Sequence, residues 1–451
     1  MGAGAGTPNP VVTTSLTLRP CLWDGAMRAV LGAAALWQRP SHGAPYLRRP
    51  EPVGYTSYMA LDIAAVQAAL REEGLDAWLL YDFQGSNPVA RSVAGLSSGG
   101  KMTTRRWFYM VPAVGEPLGL VHAIEPHTLD GLPGDKRIYA RWEELQAGLT
   151  SLLASARHVA MEYSAAGAIP YLGRVDAGTI ENIRSRGVEI VSSGDLVQRF
   201  GACWDEAAVE SHREASRRLY SIKDRAFGAI GQRVAAGTPT TEYQIQQLMA
   251  EWFRSEGMIT DSPPVVAVNA NSGDPHYLPG PERSASIAKN DLVLLDLWGK
   301  MDRPGAVYAD ITWVGFTGAA IPADQAGAFD AIARARDAAV DLVQKSVRGG
   351  AELRGWQVDR EARGVLEQAG YAAHVLHRTG HSLGETVHGN GVHLDDYETH
   401  DERRVLPGSG FTIEPGLYFK TFGVRTEINM FIGNGSAMVT GPVQQAIVPL
   451  A

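Results

Sequence analysis

Five residues that can ligate metal ions follow one another in the last third of the sequence. They are four carboxylates and one imidazole: Asp296, Asp310, His381, Glu414 and Glu427. A set this rich in oxygen suits a pair of divalent ions such as manganese better than it suits a sulfur-rich tetrahedral zinc site. Two neighbouring ions can turn a water molecule into a nucleophile near neutral pH. The pattern therefore indicates a hydrolase.

The two aspartates are predicted to lie on one β-hairpin. Asp296 follows an apolar run at 292–295 that is typical of a buried strand, and we expect this strand to end near position 297. Asp310 comes after a predicted turn at 301–305. Because a buried, unpaired carboxylate is costly, a cation or a hydrogen-bond donor must compensate each aspartate. A salt bridge or a surface position is the alternative explanation for this pair.

The two glutamates repeat this design. Glu414 ends a predicted apolar strand at 411–414 and is followed by Pro-Gly, and Glu427 lies in a predicted alternating strand at 424–428. Arg425 stands two residues before Glu427 and so shares its face of that strand. We expect Arg425 to anchor either a carboxylate that supports the metal ligands from behind or a terminus of the substrate.

Histidines concentrate in the same part of the chain. Six of the 12 fall between positions 374 and 400: His374, His377, His381, His388, His393 and His400. Neutral imidazole can ligate a metal, and protonated imidazole can donate to developing negative charge. The sequence contains no H-E-x-x-H, which excludes the zinc-protease motif of that form.

The elements that must position these side chains form two predicted domains. Helical and strand patterns alternate between residues 59 and 202 and indicate an α/β domain with a mixed sheet. Residues 203–451 indicate an α+β domain. It opens with two amphipathic helices, for which Asp205 and Thr240 are the predicted N-caps. Strands are expected at 265–268 and 292–297, helices at 328–347 and 356–370, and further strands within 411–448.

Composition restricts the class of protein. The chain has 451 residues, of which 45% are hydrophobic and 20% charged, as expected of a globular protein with two or three domains. A net charge of −8 gives no support for nucleic-acid binding, and no apolar run is long enough to cross a membrane. The two cysteines, Cys21 and Cys203, argue against a disulfide framework and fit a reducing cytoplasm.

The first 58 residues differ from the rest. They carry arginines but almost no acidic residues, and Gly, Ala, Pro and Thr dominate their opening. We expect a disordered extension, or upstream sequence before a natural start at Met59. A leader for import into an organelle is the alternative.

The short sequence segments around Asp296, Asp310, His381, Glu414 and Glu427 together resemble those of the pita-bread metallopeptidases. This family includes methionine aminopeptidase, aminopeptidase P, prolidase and creatinase. All five ligand phrases occur in the order of that family. Residues 59–202 are also similar to the creatinase-type N-terminal domain of aminopeptidase P and prolidase. The resemblance covers all but the N-terminal extension. It implies a creatinase-like α/β domain followed by an α+β pita-bread catalytic domain.

The resemblance also implies a dinuclear centre and a role for each ligand. Two divalent ions are expected, with manganese as the first choice and cobalt or zinc as alternatives. Asp310 and Glu427 would bridge them, Asp296 would complete one shell, and His381 and Glu414 the other.

Further roles carry over by local pattern. The implied catalytic residues are Glu414 for proton transfer, His388 for the oxyanion, and His276 for the substrate or the leaving nitrogen. His377 and Arg425 are implied as substrate-binding residues. The interval from Asp296 to Asp310 is longer than is usual in the family, and the phrase at 297–300 is unusual, so we expect a reshaped pocket rim.

The implied activity is hydrolysis of Xaa-Pro bonds, either at the N-terminus of peptides or in dipeptides, by a cytoplasmic homodimer. Two alternatives stay open. One is a metal-dependent lyase or hydrolase of a small zwitterionic solute on the same fold. The other is a non-catalytic binding protein, which typically has degraded ligands, whereas all five are intact here.

Overall fold

The computed structural model describes residues 1–2, 61–96 and 103–450. The predicted extension before Met59 therefore lies outside the described residues, apart from its first two. The predicted boundary at 202/203 falls between two helices, and the domain limits stay predictions. Within the described part of the chain, none of the helices combines the length and the apolar character that crossing a bilayer requires.

A six-stranded mixed sheet dominates the first half. Its strands are β1 (Ala77–Asp82), β2 (Trp107–Pro112), β3 (Leu118–His122), β4 (Asp135–Tyr139), β5 (His158–Met161) and β6 (Glu189–Ser192). They lie in the order β4-β3-β2-β1-β5-β6. The helices are α1 (Ile63–Glu72), α2 (Pro88–Val93), α3 (Trp142–Leu152), α4 (Ala177–Arg184) and α5 (Gly194–Gly201), with short 3₁₀ turns at Ala165–Gly167 and Pro170–Leu172.

Helices cover both faces of this sheet. Successive residues of β1 point to opposite faces, so Trp78 and Leu80 pack with α1, α2 and α5, while Leu79 and Tyr81 pack with α3 and α4. All six residues of β1 are buried, which explains its continuous apolar run. The predicted α/β domain with a mixed sheet is confirmed.

The second half contains four long helices and ten strands among the described residues. The helices are α6 (Glu206–Ala235), α7 (Glu242–Ser255), α8 (Ala323–Gly349) and α9 (Gly355–Gln368). The strands are β7 (Met258–Ile259), β8 (Val265–Val268), β9 (Leu292–Met301), β10 (Ala309–Phe316), β11 (Gly410–Ile413), β12 (Gly416–Tyr418), β13 (Gly423–Arg425), β14 (Ile428–Gly433), β15 (Ser436–Val439) and β16 (Val448–Pro449). Two 3₁₀ turns lie at Asn269–Gly273 and Ala372–His374.

The β9–β10 hairpin lies between two cores. Val293, Leu295 and Leu297 face α6 and α7, whereas Leu292 and Leu294 face α8 and α9. Asp296 continues the second of these faces, because side chains in a strand alternate. On this face of β9, the apolar side chains that pack on α8 and α9 are therefore followed by a carboxylate.

Three sequence predictions need correction. Strand β9 does not end near position 297 but runs on to Met301, because residues 298–301 keep pairing with β10 and β7. The predicted strand at 424–428 is two strands, and its residues 426 and 427 lie between β13 and β14. Asp205 caps α6 as expected, but the cap of α7 is Thr241, whose hydroxyl accepts from the Gln244 N–H, rather than Thr240.

Candidate metal centre

The hairpin brings the two aspartates onto one face. Asp296 pairs with Thr312, and Asp310 pairs with Trp298, so the two aspartates are diagonal neighbours across the ladder. Directly paired residues of an antiparallel ladder project to the same side. The hairpin that the sequence predicts therefore places both carboxylates side by side.

The other three ligands reach the same place from separate segments. His381 lies on a stretch that pairs with β11, and its N–H donates to Thr412 Oγ1 at 2.9 Å. Glu414 follows β11 directly. The N–H of Glu427 donates to the carbonyl of Thr312 at 3.1 Å, which ties this residue to β10. Hydrogen bonds thus tie Glu427 to the hairpin, and they tie His381 and Glu414 to each other's segments around β11, where the N–H of Glu414 donates to the carbonyl of Thr379 at 2.7 Å.

The side chains meet at close range. Ligand atoms of Asp310, His381 and Glu427 all lie within 4.8 Å of one another. His381 Nε2 is 3.6 Å from Asp310 Oδ2 and 3.4 Å from Glu414 Oε1. All five predicted ligands line one cavity of about 420 Å³. The structure therefore brings together every residue that the sequence predicts as a ligand.

Two details of these groups fit a cation. His381 Nδ1 lies 3.1 Å from the carbonyl of Ser382, so it can donate there, which leaves the Nε2 lone pair facing the carboxylates. Asp310 Oδ1 is buried and has no hydrogen-bond partner among the described residues. A buried acceptor without a donor is costly, and a metal ion would satisfy it.

Electrostatics support the same conclusion. Burial raises the pKa of Asp310 and of Glu427 well above their usual ranges. Asp296 adds to this effect at Asp310, and Asp310 adds to it at Glu427. Burial also raises the pKa of Asp296, although Arg425 opposes this. For Glu414, burial is outweighed by His381, His377 and Arg425, which lower its pKa. Divalent cations would relieve the repulsion among these acids.

Arg425 is held within the site. Its guanidinium forms an ion pair with Asp296 Oδ2 and donates to Thr312 Oγ1 and to Tyr418 OH, both at 2.9 Å. The hydroxyl of Thr312 in turn donates to Glu427 Oε2 at 2.7 Å. Arg425 is therefore paired with Asp296, a predicted metal ligand, and not with a carboxylate outside the five ligands, as the sequence suggested. A direct contact with substrate stays a prediction.

The three other histidines that the sequence predicts at the site, His276, His377 and His388, line the same cavity. The ring centroid of His388 is 4.4 Å from that of His381, and desolvation within the cavity together with the neighbouring His381 lowers the pKa of His388 to about 4. His377 Nε2 contacts Tyr418 OH at 2.7 Å, and burial lowers its pKa. His276 is exposed at the cavity wall. Their catalytic and binding roles stay predictions.

The cavity also has walls that the sequence pattern did not single out as functional. Arg378 is buried, and its guanidinium donates to Tyr171 OH at 2.6 Å. Trp298 donates from its indole N–H to Asp261 at 2.6 Å. Arg378 directly follows His377, and Trp298 lies two residues after Asp296, so their proximity to predicted site residues was the available signal. Tyr418 offered no such signal, because its contact with Arg425 depends on the pairing of β12 with β13.

Sequence comparison identifies a family and individual relatives. The profile of metallopeptidase family M24 matches residues 211–434. A Mycobacterium tuberculosis protein named "Probable dipeptidase PepE" is 29% identical over 269 residues, which are 59% of this chain and 66% of the relative. An Xaa-Pro dipeptidase of Lactobacillus delbrueckii subsp. lactis is 30% identical over 228 residues, 48% of this chain and 55% of the relative. The aligned part thus spans slightly less than two thirds of the first relative.

Solved structures share the fold over more of the chain. Dipeptidase PepE from Mycobacterium ulcerans superposes with a TM-score of 0.60 at 23% identity and covers 86% of this chain and 96% of its own. A prolidase from Thermococcus sibiricus gives 0.56 at 18% identity, covering 87% and 99%. The fold class, an N-terminal domain followed by a pita-bread domain, is therefore confirmed. Residues 211–434 of this chain belong to metallopeptidase family M24, the pita-bread metallopeptidases.

Proposed function

We propose that this protein is a metal-dependent peptidase that hydrolyses short peptides, with dipeptides as its first substrate class. One observation carries the proposal: Asp296, Asp310, His381, Glu414 and Glu427 converge on one cavity. The names of the relatives, a dipeptidase and an Xaa-Pro dipeptidase, support the same activity.

The five side chains would hold two divalent ions, with manganese expected and cobalt or zinc as alternatives. Carboxylates and one imidazole are ligands that suit these ions. When bound, the ions supply a nucleophile near neutral pH and polarise the scissile carbonyl. Asp310 and Glu427 would hold the ions together with His381, since ligand atoms of these three residues lie within 4.8 Å of one another.

The protein groups would handle protons and charge around the peptide. Glu414, whose pKa is lowered, is ionised at neutral pH and can accept a proton and pass it to the leaving nitrogen. His388 and His276 line the cavity and can contact the carbonyl oxygen and the leaving group. We propose these three as the catalytic residues.

A free carboxylate on the substrate would meet a cation in this cavity. Arg425 is committed to Asp296 and Tyr418. Arg378 also lines the cavity, next to His377 and Glu398. Arg378 is itself paired with Tyr171 OH at 2.6 Å and with Asp395 at 3.7 Å. Because planar guanidinium groups pair well with carboxylates, Arg425 and Arg378 are both proposed partners for the C-terminus of a short peptide. That contact would favour dipeptides over long chains.

Proline preference follows from the relatives' names and suits the cavity walls. Val265, Trp298, Val387 and Leu278 provide apolar surface beside the acids. A proline ring has no amide hydrogen to donate, so it must be recognised by shape against such surfaces. We also carry forward a cytoplasmic homodimer as an expectation of the family resemblance.

A substrate panel tests the proposal. The metal-stripped protein is reloaded with Mn²⁺ and offered an Ala-Pro dipeptide, an Ala-Ala dipeptide, Ala-Pro-containing peptides of increasing length and a zwitterionic solute. We expect Mn²⁺-dependent cleavage of the dipeptides, fastest for Ala-Pro. Turnover of the solute alone would favour the lyase or solute hydrolase. No turnover by a metal-loaded protein would favour the binding protein.

A further inference from the structure

The segment at 268–285 forms one wall of the metal cavity. It contributes Pro275, His276, Tyr277 and Leu278 to the lining. Apart from the 3₁₀ turn Asn269–Gly273, the segment contains no helix or strand after β8. Side-chain contacts therefore add to the single backbone bond, from the Glu242 N–H to the Ala285 carbonyl at 3.1 Å, that ties the segment to α7.

One carboxylate contacts the segment at four residues. Glu242, the first residue of α7, has no solvent exposure. Its Oε1 accepts from the N–H of Val268 at 2.7 Å and from Asn271 Nδ2 at 2.9 Å. Its Oε2 accepts from the hydroxyl of Tyr277 at 2.5 Å and from the N–H of Ala285 at 2.6 Å. Glu242 thus binds the start, the middle and the end of the segment.

The contact with Tyr277 connects this anchor to the cavity. Tyr277 is buried, whereas its neighbour His276 is exposed at the cavity wall. A residue next to a fixed, buried tyrosine has little freedom to move its backbone. The carboxylate of Glu242 therefore sets the place of His276 without touching the cavity itself.

We propose that Glu242 is a positioning residue that holds the segment 268–285, and with it His276, at the metal centre. The proposal rests on the peptidase function proposed above, in which His276 contacts the substrate. Two backbone N–H groups point at different oxygens of Glu242. An amide in its place would turn an NH₂ group toward one of these donors in either orientation, so Glu242→Gln leaves one of the two backbone N–H groups without its acceptor. The bonds from the Glu242 N–H to the Ala285 carbonyl and from the Tyr243 N–H to Ser284 Oγ remain, so we expect the variant to loosen the segment.

The chain offers a matched control. Glu162 is also a fully buried carboxylate, and it accepts from Trp78, Asn87 and Ser193 in the first half of the chain. None of these four residues lines the metal cavity. Glu162→Gln therefore imposes a comparable change away from the site. Tyr277→Phe removes only one hydroxyl from the Glu242 cluster and keeps the buried ring.

The experiment combines hydrogen exchange with kinetics on the full-length protein. Amide exchange is followed over 268–285 without substrate, and kcat and KM are measured with Ala-Pro and Mn²⁺. We expect faster exchange in this segment for Glu242→Gln and Tyr277→Phe but not for Glu162→Gln. Glu242→Gln should also lose about tenfold or more in kcat/KM, as expected when a group that assists proton transfer is misplaced.

A double variant separates positioning from a general loss of stability. If Glu242 acts through His276, Glu242→Gln added to His276→Ala should reduce kcat/KM no further than His276→Ala alone. Unchanged exchange in both Glu242→Gln and Tyr277→Phe, or losses that multiply in the double variant, would overturn the proposal. If exchange over 268–285 is faster in Glu242→Gln and Tyr277→Phe but the wild-type protein cleaves no peptide, the anchor is supported and the peptidase function is contradicted.

Discussion

At the residue scale, the metal ligands could be predicted because each lies in a short sequence segment that is recognisable by itself. Asp296 interrupts an apolar run, and Glu414 ends one, so an unusual residue type stood out at both positions. Arg378 and Tyr418 could not be singled out in this way. Their significance depends on contacts with Tyr171 and Arg425, which come from other parts of the chain.

Asp310 is the ligand whose replacement is most informative. Burial and its acidic neighbours raise its pKa well above the usual range, so its charge destabilises the metal-free fold at neutral pH. We expect Asp310→Asn to raise the melting temperature of the metal-stripped protein. It should also weaken Mn²⁺ binding more than about 100-fold, since even partners of metal ligands contribute up to that much.

Thermal melts of the stripped protein, with and without added Mn²⁺, measure both effects. Asp341→Asn is the control, because Asp341 is an exposed residue of α8. An Asp310→Asn protein that melts below the wild type without metal, yet gains as much from Mn²⁺, would contradict the metal assignment.

His212 predicts a pH dependence of stability. It is fully buried between the carbonyl of Tyr308 and the hydroxyl of Thr440, and burial lowers its pKa to about 4. Because the folded pKa is below the unfolded one, protonation favours unfolding. The stability is intact above about pH 6.5 and is lost as pH falls towards 4, by about 3 kcal/mol.

Urea unfolding between pH 4 and 7 checks this expectation. His212→Asn should show a shallower loss of unfolding free energy than the wild type, by about that amount. His127→Asn, at an exposed histidine, should follow the wild type. Parallel curves for His212→Asn and the wild type would refute the expected role.

At the element scale, the long amphipathic helices and the apolar strands could be predicted. A polar edge strand, two short helices and the end of strand β9 could not. Strand β4 was missed because its sequence is mostly polar and exposed. Helix α2, with six residues, is too short to show a helical period. Helix α5 was also missed, although its apolar residues lie on one face. Strand β9 continues past Asp296 through pairing with β7 and β10, which no local pattern reveals.

The close approach of Gly380 to Thr412 helps to position His381 in the site. A Cβ at this residue would lie 2.1 Å from the carbonyl oxygen of Thr412, so the strand carrying His381 must move. We expect Gly380→Ala to cost about 1–3 kcal/mol of stability and to weaken Mn²⁺ binding. Chemical unfolding and calorimetric Mn²⁺ titration measure the two effects.

Gly364→Ala is the matched control. Gly364 lies inside α9 with open space around its Cβ direction, so alanine there should leave Mn²⁺ affinity unchanged and add up to about 1 kcal/mol of stability. Wild-type Mn²⁺ affinity in Gly380→Ala would show that the close approach to Thr412 does not position His381.

At the scale of the whole molecule, the first half supports the loop that follows His388. Gln198 of α5 is buried and donates to the carbonyl of Arg404 at 2.7 Å, while its side-chain oxygen accepts from the N–H of Val392 at 2.8 Å. Arg404 also donates to Asp195 at 2.7 Å. These polar contacts join residues far apart in sequence.

Gln198→Ala should therefore loosen this loop. Two buried backbone groups lose their partners, so we expect a loss of about 1–3 kcal/mol in unfolding free energy and faster amide exchange over 390–409. Gln67→Ala is the control, because Gln67 bonds to Pro112 and Gly115 within the first half. Unchanged exchange over 390–409 in Gln198→Ala would argue against this support.

The fold class followed from the alternation of elements and from the family resemblance, but the fit between the two halves did not. Contacts such as that of Gln198 with the Val392 backbone leave no periodic pattern in the sequence. The expected homodimer depends on the resemblance alone, and light scattering would test it. The nature of the first 58 residues stays a prediction in the same way.

Anomalous X-ray scattering from crystals grown with Mn²⁺ tests the central claim most directly. Two anomalous peaks are expected in the cavity, each within bonding distance of side chains from the set Asp296, Asp310, His381, Glu414 and Glu427. The absence of a peak in this cavity, or peaks bound only by other residues, would contradict the account.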